Sequence, residues 1–305
     1  MTCELTNFTV WGKQWFEDGW EGLERFCDRH ALVGVELLAS GADLASAPPT
    51  HRIEGVHLSS LGSWLPLVGI EAEDYCTGTG PVARADSYED LVRLRADELR
   101  AVAEFAPRYA VWHAAYTPTD SHRPVTTGEF LQHLSTLVRD VTSEFRPPFQ
   151  ICFENAYGVS WQPDEPAPLL AFLEALSDLP AGVCLDIGHH LNRHRELTTP
   201  EAAVGELYRL ANGLRQAGVC TTVLHLHWTP PELVPAMLPG AEQDPGDFFA
   251  RSDQHHPLCA TALPEAVAQL APEVVVHEMG AMSLEVHENW LAIQTSALRG
   301  ATHGH

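Results

Sequence analysis

The sequence predicts a single-domain (β/α)₈ TIM barrel, and three observations support this α/β fold class. Short apolar runs that favour β-strands alternate with amphipathic patterns that favour helices almost from end to end. Eight of these runs are nearly continuously apolar, which indicates parallel strands buried on both faces. A length of 305 residues suits such a barrel built as one domain. We expect the barrel to span residues 1–298 and the tail 299–305 to be disordered.

The strands and helices can be placed in order along the chain. The candidate strands are NFTVW (7–11), LVGVELL (32–38), EGVHLS (54–59), YAVWHA (109–114), FQICFEN (149–155), GVCLDI (182–187), CTTVLHLHW (220–228) and EVVVHEM (273–279). The clearest helical patterns cover 88–105, 129–145 and 201–216. The first and last of these place acidic residues near the start and a basic residue toward the end, as the helix dipole prefers. The main alternative, a doubly wound nucleotide-binding sheet, lacks a G-x-G-x-x-G motif at its first helix.

Two long segments separate these elements and are expected to be functional loops. The segment 229–258 is rich in Pro, Gly and Asp and follows the seventh candidate strand, and 61–86 follows the third. Long structureless loops in compact domains usually carry function. Both are expected on the face where barrel enzymes keep their active sites.

Charge and composition restrict the partners. The chain has 41 acidic and 18 basic residues, a formal net charge of -23, so a nucleic acid is not expected as a partner. No stretch has the length and apolarity of a membrane span, and the first residues lack the layout of a signal peptide. The 7 cysteines show no disulfide spacing. We expect a cytoplasmic protein that binds no membrane.

The segment VCLDIGHHLNRH (183–194) gives the first indication of chemistry. Its apolar run breaks into Asp186, and an unpaired carboxylate gains nothing in a core strand. Similar breaks occur at the ends of six successive candidate strands and in the loop after the seventh, and side chains from these ends converge on one rim of a barrel. The candidate metal ligands are His57, His113, Glu154, Asp186, His189, His225, Asp253, His255 and Glu278.

Metal ions explain this set better than nine separate structural roles. Any one strand-end histidine is more often a hydrogen-bonded rim residue than a ligand. However, carboxylates gathered without cations would repel and shift one another's pKa values. Imidazole and carboxylate ligands together suit iron, zinc or manganese. Nine ligands are too many for one ion and suit two or three.

Neighbouring residues leave some assignments open. His225 and His227 share a face of their strand; if only one is a ligand we favour His225, with His227 as a candidate catalytic residue that contacts substrate. Asn155 is the second candidate catalytic residue, with capping of the following loop as its structural alternative. His190 cannot face the same point as His189. We place His256, His277 and His287 outside the ligand set.

The order of these residues resembles that of the xylose-isomerase-like TIM barrels that hold several metal ions. One similar branch is endonuclease IV, a trinuclear zinc phosphodiesterase with an Asp-x-His pair. The other comprises the multinuclear non-heme iron-dependent oxidative enzymes of methanobactin-type pathways. VHLSSLGS (56–63), WHAAYT (112–117), FENAYG (153–158) and SDQHHP (252–257) resemble short motifs of the second branch. The glycine-leucine-arginine opening common in that branch is absent, and NFTVWGKQWF stands in its place.

The resemblance implies an oxidoreductase with two or three iron ions and dioxygen as co-substrate. Such an enzyme would modify a peptide or amino-acid-derived substrate, at Cys or Asp, in natural-product biosynthesis. A peptide substrate in this family often needs a separate substrate-recognition protein. The main alternative is a metal-dependent sugar or polyol isomerase or epimerase, for which Glu154, Asp186, His225 and Glu278 could supply the ligand quartet. A phosphodiesterase is disfavoured by the charge, and metal storage is the least favoured alternative.

Overall fold

A computed structural model describes residues 2–38, 47–58, 85, 87–116, 125–156, 159–194, 196–231 and 254–300. The predicted fold class is confirmed, because eight parallel strands close into a barrel. In chain order the barrel strands are β1 (Cys3–Thr9), β2 (Gly34–Leu38), β3 (Ile53–His57), β4 (Tyr109–His113), β6 (Gln150–Glu154), β8 (Ala181–Asp186), β9 (Val223–Leu226) and β10 (Val274–His277). Around the barrel they follow the order β1-β10-β9-β8-β6-β4-β3-β2. Two short strands, β5 (Ala115–Tyr116) and β7 (Val159–Ser160), pair antiparallel outside it.

Helices alternate with most of the barrel strands, whereas between β2 and β3 the described residues form only a 3₁₀ turn at Thr50–Arg52. In the described part of the chain the helices are α1 (Trp20–His30), α2 (Tyr88–Ala103), α3 (Thr127–Glu144), α4 (Ala167–Ala175), α5 (Ile187–Leu191), α6 (Pro200–Ala217), α7 (Leu263–Leu270) and α8 (Leu284–Leu298). The Ser87 side chain caps α2 by accepting from the Asp90 amide, and Thr199 caps α6 in the same way. None of the helices that the structure describes has the length and apolar composition needed to cross a membrane.

The core has two parts. Between barrel and helices lies a large apolar layer that includes Phe26, Leu134 and Leu207. Inside the barrel a smaller cluster includes Cys152 and Cys184, which are buried as small core residues. This filled interior leaves the carboxyl end of the strands as the place where polar side chains gather.

The first candidate strand is placed incorrectly by the sequence. The run 7–11 was expected to be a strand, but β1 pairs with its neighbours from Cys3 to Thr9. A 3₁₀ helix follows at Val10–Trp15. This turn packs back over β1, and a Cβ at Gly12 would lie 2.6 Å from the Phe8 ring. Glycine therefore allows the close return that ends the strand.

The other boundaries differ mainly at strand ends. The candidate strands 220–228 and 273–279 are longer than the observed β9 and β10, so His227 and Glu278 lie just beyond strands rather than within them. In the candidate loops, residues 61–84, 86 and 232–253 lie outside the described residues, as do 301–305 of the tail. The expected disorder of the tail stays a prediction.

Candidate metal centre

Strand register brings donors from distant parts of the chain together at the carboxyl rim. His113 at the end of β4 lies opposite Glu154 at the end of β6. Asp186 at the end of β8 lies opposite His225 on β9. Because parallel strands in a barrel end on the same face, the side chains at these positions converge.

Glu154 lies at the centre of the rim, and both of its carboxylate oxygens are engaged. Oε2 lies 2.7 Å from His113 Nε2 and 3.1 Å from His57 Nε2. Oε1 lies 2.8 Å from His225 Nδ1. A buried carboxylate with its two oxygens facing different imidazoles could hold a cation through either oxygen.

The contacts of Asp186 explain why a carboxylate ends a buried strand. Its Oδ1 accepts from the His189 backbone amide at 2.6 Å and so caps α5. Its Oδ2 lies 3.0 Å from His227 Nε2. Gly188 permits this approach, because a Cβ there would overlap the His227 ring.

The contacts of Glu278 indicate whether the carboxylates and imidazoles of the rim suit a cation. Its Oε2 is buried and has no hydrogen-bond partner among the described residues. Yet it lies 3.2 Å from His225 Nδ1, 3.5 Å from His227 Nε2 and 3.7 Å from His255 Nδ1. A buried carboxylate oxygen normally forms hydrogen bonds. Three ring nitrogens around an oxygen that bonds to none of them fit shared metal ligation.

Two histidines are oriented as metal ligands usually are. His57 Nδ1 lies 2.9 Å from the Leu58 carbonyl oxygen, and His189 Nδ1 lies 2.9 Å from that of Asn155. A carbonyl oxygen can only accept, so each Nδ1 donates and the Nε2 of the neutral ring keeps its lone pair. Such outer hydrogen bonds fix the tautomer of metal-binding histidines.

His225 has a carboxylate support that the sequence analysis missed. Its Nδ1 faces the rim carboxylates, while its Nε2 lies 3.1 Å from Glu36 Oε1 on β2. The hydroxyl of Tyr109 donates to Glu36 Oε2 at 2.8 Å. The Tyr109 ring reaches across the barrel because β3 has Gly55 there, where a Cβ would overlap the ring. The available signal was the same as at Asp186, a carboxylate inside an apolar run.

His255 completes the mouth from the loop after β9. Its ring stacks on that of His227, with centroids 3.8 Å apart and planes 3° from parallel. Its backbone adopts the left-handed region at φ 48°, which is uncommon for a residue with a side chain. A strained backbone that persists next to a donor cluster is typical of functional sites.

The pKa values of the rim residues depend on the close mixture of carboxylates and imidazoles. Burial opposes ionisation of Glu154, but His113 and His225 lower the pKa of its carboxyl well below the usual range. Burial would lower the pKa of His57, but Glu154 and Glu36 raise it to about 9. Burial would lower the pKa of His225 as well, but the Cys184 thiol and the surrounding carboxylates raise it well above its usual value. Without metal ions, the carboxylates thus hold protons on the imidazoles.

The structure brings eight of the nine predicted ligands together, and Asp253 lies outside the described residues. Three groups each place one donor atom per residue within 4.8 Å of the others. These groups are His57, Glu154 and His225; Glu154, Asp186, His225 and Glu278; and His227, His255 and Glu278. His227 therefore faces the carboxylates together with His225, where the sequence analysis favoured one of the two.

Asn155 is bonded to the backbone of the neighbouring strand, and its expected catalytic role stays a prediction. Its Nδ2 donates to the Asp186 carbonyl oxygen and its Oδ1 accepts from the Asp186 amide, both at 2.8 Å. Both ends of the side-chain amide are thus bonded to the β8 backbone. The arrangement assigns Asn155 to positioning Asp186 and His189.

Comparison with known proteins shows the fold. No protein-family model matches the chain, and no curated protein matches it in sequence. The structure is similar to endonuclease IV from Thermus thermophilus, with 17% identity, a TM-score of 0.54 and coverage of 98% of this chain and 100% of that one. It is similar to 3-keto-D-glucoside 4-epimerase from E. coli, with 13% identity, a TM-score of 0.55 and coverage of 98% and 99%.

A third similar structure is the IolI protein with a bound zinc atom, with 11% identity, a TM-score of 0.51 and coverage of 97% and 95% of the two chains. At these identities the similarity establishes the barrel fold shared by these proteins. The resemblance to the iron-dependent oxidative branch stays a prediction.

Proposed function

We propose that this protein is a metal-dependent enzyme that isomerises or epimerises a neutral sugar or polyol. The observation that carries this proposal is the buried quartet of Glu154, Asp186, His225 and Glu278, whose donor atoms lie within 4.8 Å of one another. An epimerase among the proteins of similar fold supports this reaction class. The net charge of -23 favours a neutral substrate over a phosphorylated one.

The residues of the quartet have the properties this chemistry needs. A bound divalent ion would polarise a substrate carbonyl or hydroxyl oxygen. Against the effect of burial, nearby imidazoles including His225 lower the pKa of both the Glu154 and Glu278 carboxyls, so both are ionised at neutral pH. Their nearer oxygens lie 2.8 and 3.2 Å from the same atom, His225 Nδ1. Either ionised carboxylate can therefore accept a proton from a carbon next to the carbonyl and, once protonated, exchange it with solvent and return a proton to that carbon.

Exchange of substrate hydrogen with solvent tests the proposal. Protein loaded with Mn²⁺ or Zn²⁺ is incubated in D₂O with a panel of neutral ketoses, and deuterium next to the carbonyl is measured by NMR. We expect incorporation that Glu278→Gln abolishes and Glu54→Gln, a change to a half-buried strand glutamate, preserves. Absence of exchange across the panel in fully loaded protein would contradict the proposal.

A second candidate function is iron-dependent oxidation of a peptide substrate with dioxygen. The specific observation in its favour is the engagement of both Glu154 oxygens together with the further group His227, His255 and Glu278. A mononuclear isomerase needs only the quartet, whereas this set has donors for more than one ion. A separate recognition protein could then deliver the peptide.

Iron loading under anaerobic conditions separates the two functions. The oxidative function predicts two or three iron ions per chain, ferric absorption after exposure to air, and dioxygen uptake with Cys- or Asp-containing peptides. One tightly held ion per chain with no dioxygen uptake would support the isomerase. The same preparations serve for both assays, and the metal content lost on Glu278→Gln together with dioxygen uptake decides between the two functions.

A further inference from the structure

A second group of possible ligands lies away from the rim, between α5 and α6. His190 follows the rim residue His189, but its ring is fully buried and turns to Glu206 of α6, with Nε2 2.7 Å from Glu206 Oε1. His194 lies one helical turn further on, and its ring centroid is 4.5 Å from that of His190. One donor atom from each of His190, His194 and Glu206 lies within 4.8 Å of the others.

A ring nitrogen without a partner marks this group as incomplete. Nδ1 of His190 is buried and has no hydrogen-bond partner among the described residues. A buried polar atom without a hydrogen bond is uncommon in a folded protein. The contact with Glu206 through Nε2 is therefore not enough to satisfy this buried ring.

The surroundings suit a small divalent cation that solvent can reach. The His194 side chain is 30% exposed, so a water molecule can complete the coordination. Glu196 Oε1 lies 3.1 Å from His194 Nδ1 and can orient the ring, as carboxylates do for metal-binding histidines. The pairing of two imidazoles with one carboxylate is typical of zinc sites with an open fourth position.

Arg209 is the competitor for this position. Its Nε lies 2.7 Å from Glu206 Oε2 and its Nη2 lies 2.5 Å from Oε1. The Arg209 side chain is 54% exposed and the Glu206 side chain 10%, so the guanidinium can turn into solvent when a cation takes its place beside Glu206. Arginine thus neutralises Glu206 when no metal ion is bound.

We propose that His190, His194 and Glu206 form a second zinc site, separate from the rim, that ties the α5 segment to α6. An ion at this second site would also restrain a segment that contributes to the rim. The α5 segment carries His189, whose backbone amide is bonded to Asp186. An ion at the second site would hold this segment from its outer side. The inference does not depend on the function proposed for the rim.

Zinc counting tests the proposal with the metal alone. Protein is equilibrated with buffered Zn²⁺, and the zinc content per chain is measured. We expect His194→Asn and Glu206→Gln to bind one zinc fewer than wild type. The matched control is His51→Asn, which alters an exposed histidine that lies 2.6 Å from Glu24 but is not one of a donor group.

A variant at the rim separates the two sites. In a Glu278→Ala background, which changes the rim without altering the cap of α5, the His194→Asn change should remove one further zinc ion. Equal zinc content with and without His194→Asn in that background would overturn the proposal.

Arg209→Ala provides a measurement that does not depend on a ligand variant folding correctly. Removing the competing guanidinium should lower the Zn²⁺ concentration at half-saturation by about fivefold, the equivalent of about 1 kcal/mol. A purely structural network of His190, Glu206 and Arg209 predicts no gain in zinc affinity, and that result would also overturn the proposal.

Discussion

Two sets of buried histidines in this barrel behave in opposite ways. His57 at the rim is 3% exposed and His287 on α8 is 1% exposed, so both are removed from water to the same degree. Yet the pKa of His57 is raised to about 9, whereas that of His287 is lowered to about 4. Burial disfavours the charged imidazole in both cases. The carboxylates around His57 reverse that effect. At His287 the imidazoles of His30 and His277 add to the effect of burial, and Glu288 raises the pKa by less than these groups lower it.

The surroundings of His287 show what a structural histidine looks like in this fold. Its ring packs against Phe8, Trp15 and Phe26, with centroid separations of 5.1, 5.8 and 5.8 Å. The Thr6 hydroxyl donates to the His277 carbonyl oxygen, so it accepts from His287 Nε2 at 2.9 Å. Histidine chemistry in this protein is therefore decided by the neighbouring acids rather than by depth.

The largest effect is expected when the central acid of the rim is neutralised. Glu154→Gln keeps the shape of the side chain but removes the charge that faces His57, His113 and His225. We expect loss of the metal bound at the rim, measured as a drop in metal per chain, with the helical circular dichroism unchanged. Glu54→Gln, on β3, is the matched control and lies two strands away from β6 in the barrel. Full metal content in Glu154→Gln would show that Glu154 is not a ligand.

The next effect concerns stability at alkaline pH in protein stripped of metal. Folded His57 keeps its proton up to a pKa of about 9, whereas the ordinary value is 6.5. Its stabilising contribution is thus complete below pH 6.5 and is lost as the pH rises through 9. The free energy of unfolding should fall by up to about 3 kcal/mol over this interval.

Urea unfolding with chelator across this pH range measures that loss. Metal-loaded protein should show little of it, because cations replace the protons as partners of the carboxylates. An identical alkaline slope in the loaded and stripped proteins would mean that the rim does not bind metal.

His287 should produce a loss of similar or smaller size at acid pH. Its folded pKa of about 4 lies below the ordinary value of 6.5, so the unfolded chain takes up a proton that the folded protein refuses. Its contribution is complete above pH 6.5 and is lost as the pH falls toward 4, by up to about 3 kcal/mol. His287→Gln should flatten this acid-side fall relative to wild type and leave metal content unchanged. An unaltered acid slope would mean that His287 is protonated in the folded state.

The contrast also shows how far the sequence alone could lead. The alternation of apolar strands and amphipathic helices predicted the barrel, and the barrel rule placed strand-end donors such as Glu154 and Asp186 on one rim. That step needs only the direction of each strand. Residue type alone cannot distinguish His57 from His287. The sequence analysis separated them because His57 lies near the end of a candidate strand and His287 does not.

Features that depend on contacts across the barrel were not predictable. Glu36 lies in the middle of β2, where its use becomes visible only once Tyr109 and His225 from other strands surround it. The pairing of Asn155 with the Asp186 backbone likewise needs the β6–β8 neighbourhood. The observed strands β9 and β10 end earlier than the sequence predicts. Backbone pairing stops before His227 and Glu278, whose side chains turn to the rim.

The smallest effect sharpens the comparison by weakening the rim without removing a ligand. Glu36→Gln leaves His225 in place but takes away the charge that its Nε2–H faces, and outer-shell changes of this kind reduce metal affinity by about 10- to 100-fold. Tyr109→Phe removes one hydrogen bond from Glu36, and we expect the free energy of metal binding to weaken by about 1 kcal/mol. Competition with a chelator of known affinity measures both, and Glu54→Gln again provides the control. A Tyr109→Phe effect larger than that of Glu36→Gln would show that the tyrosine acts through packing in the barrel interior, not through the carboxylate that supports His225.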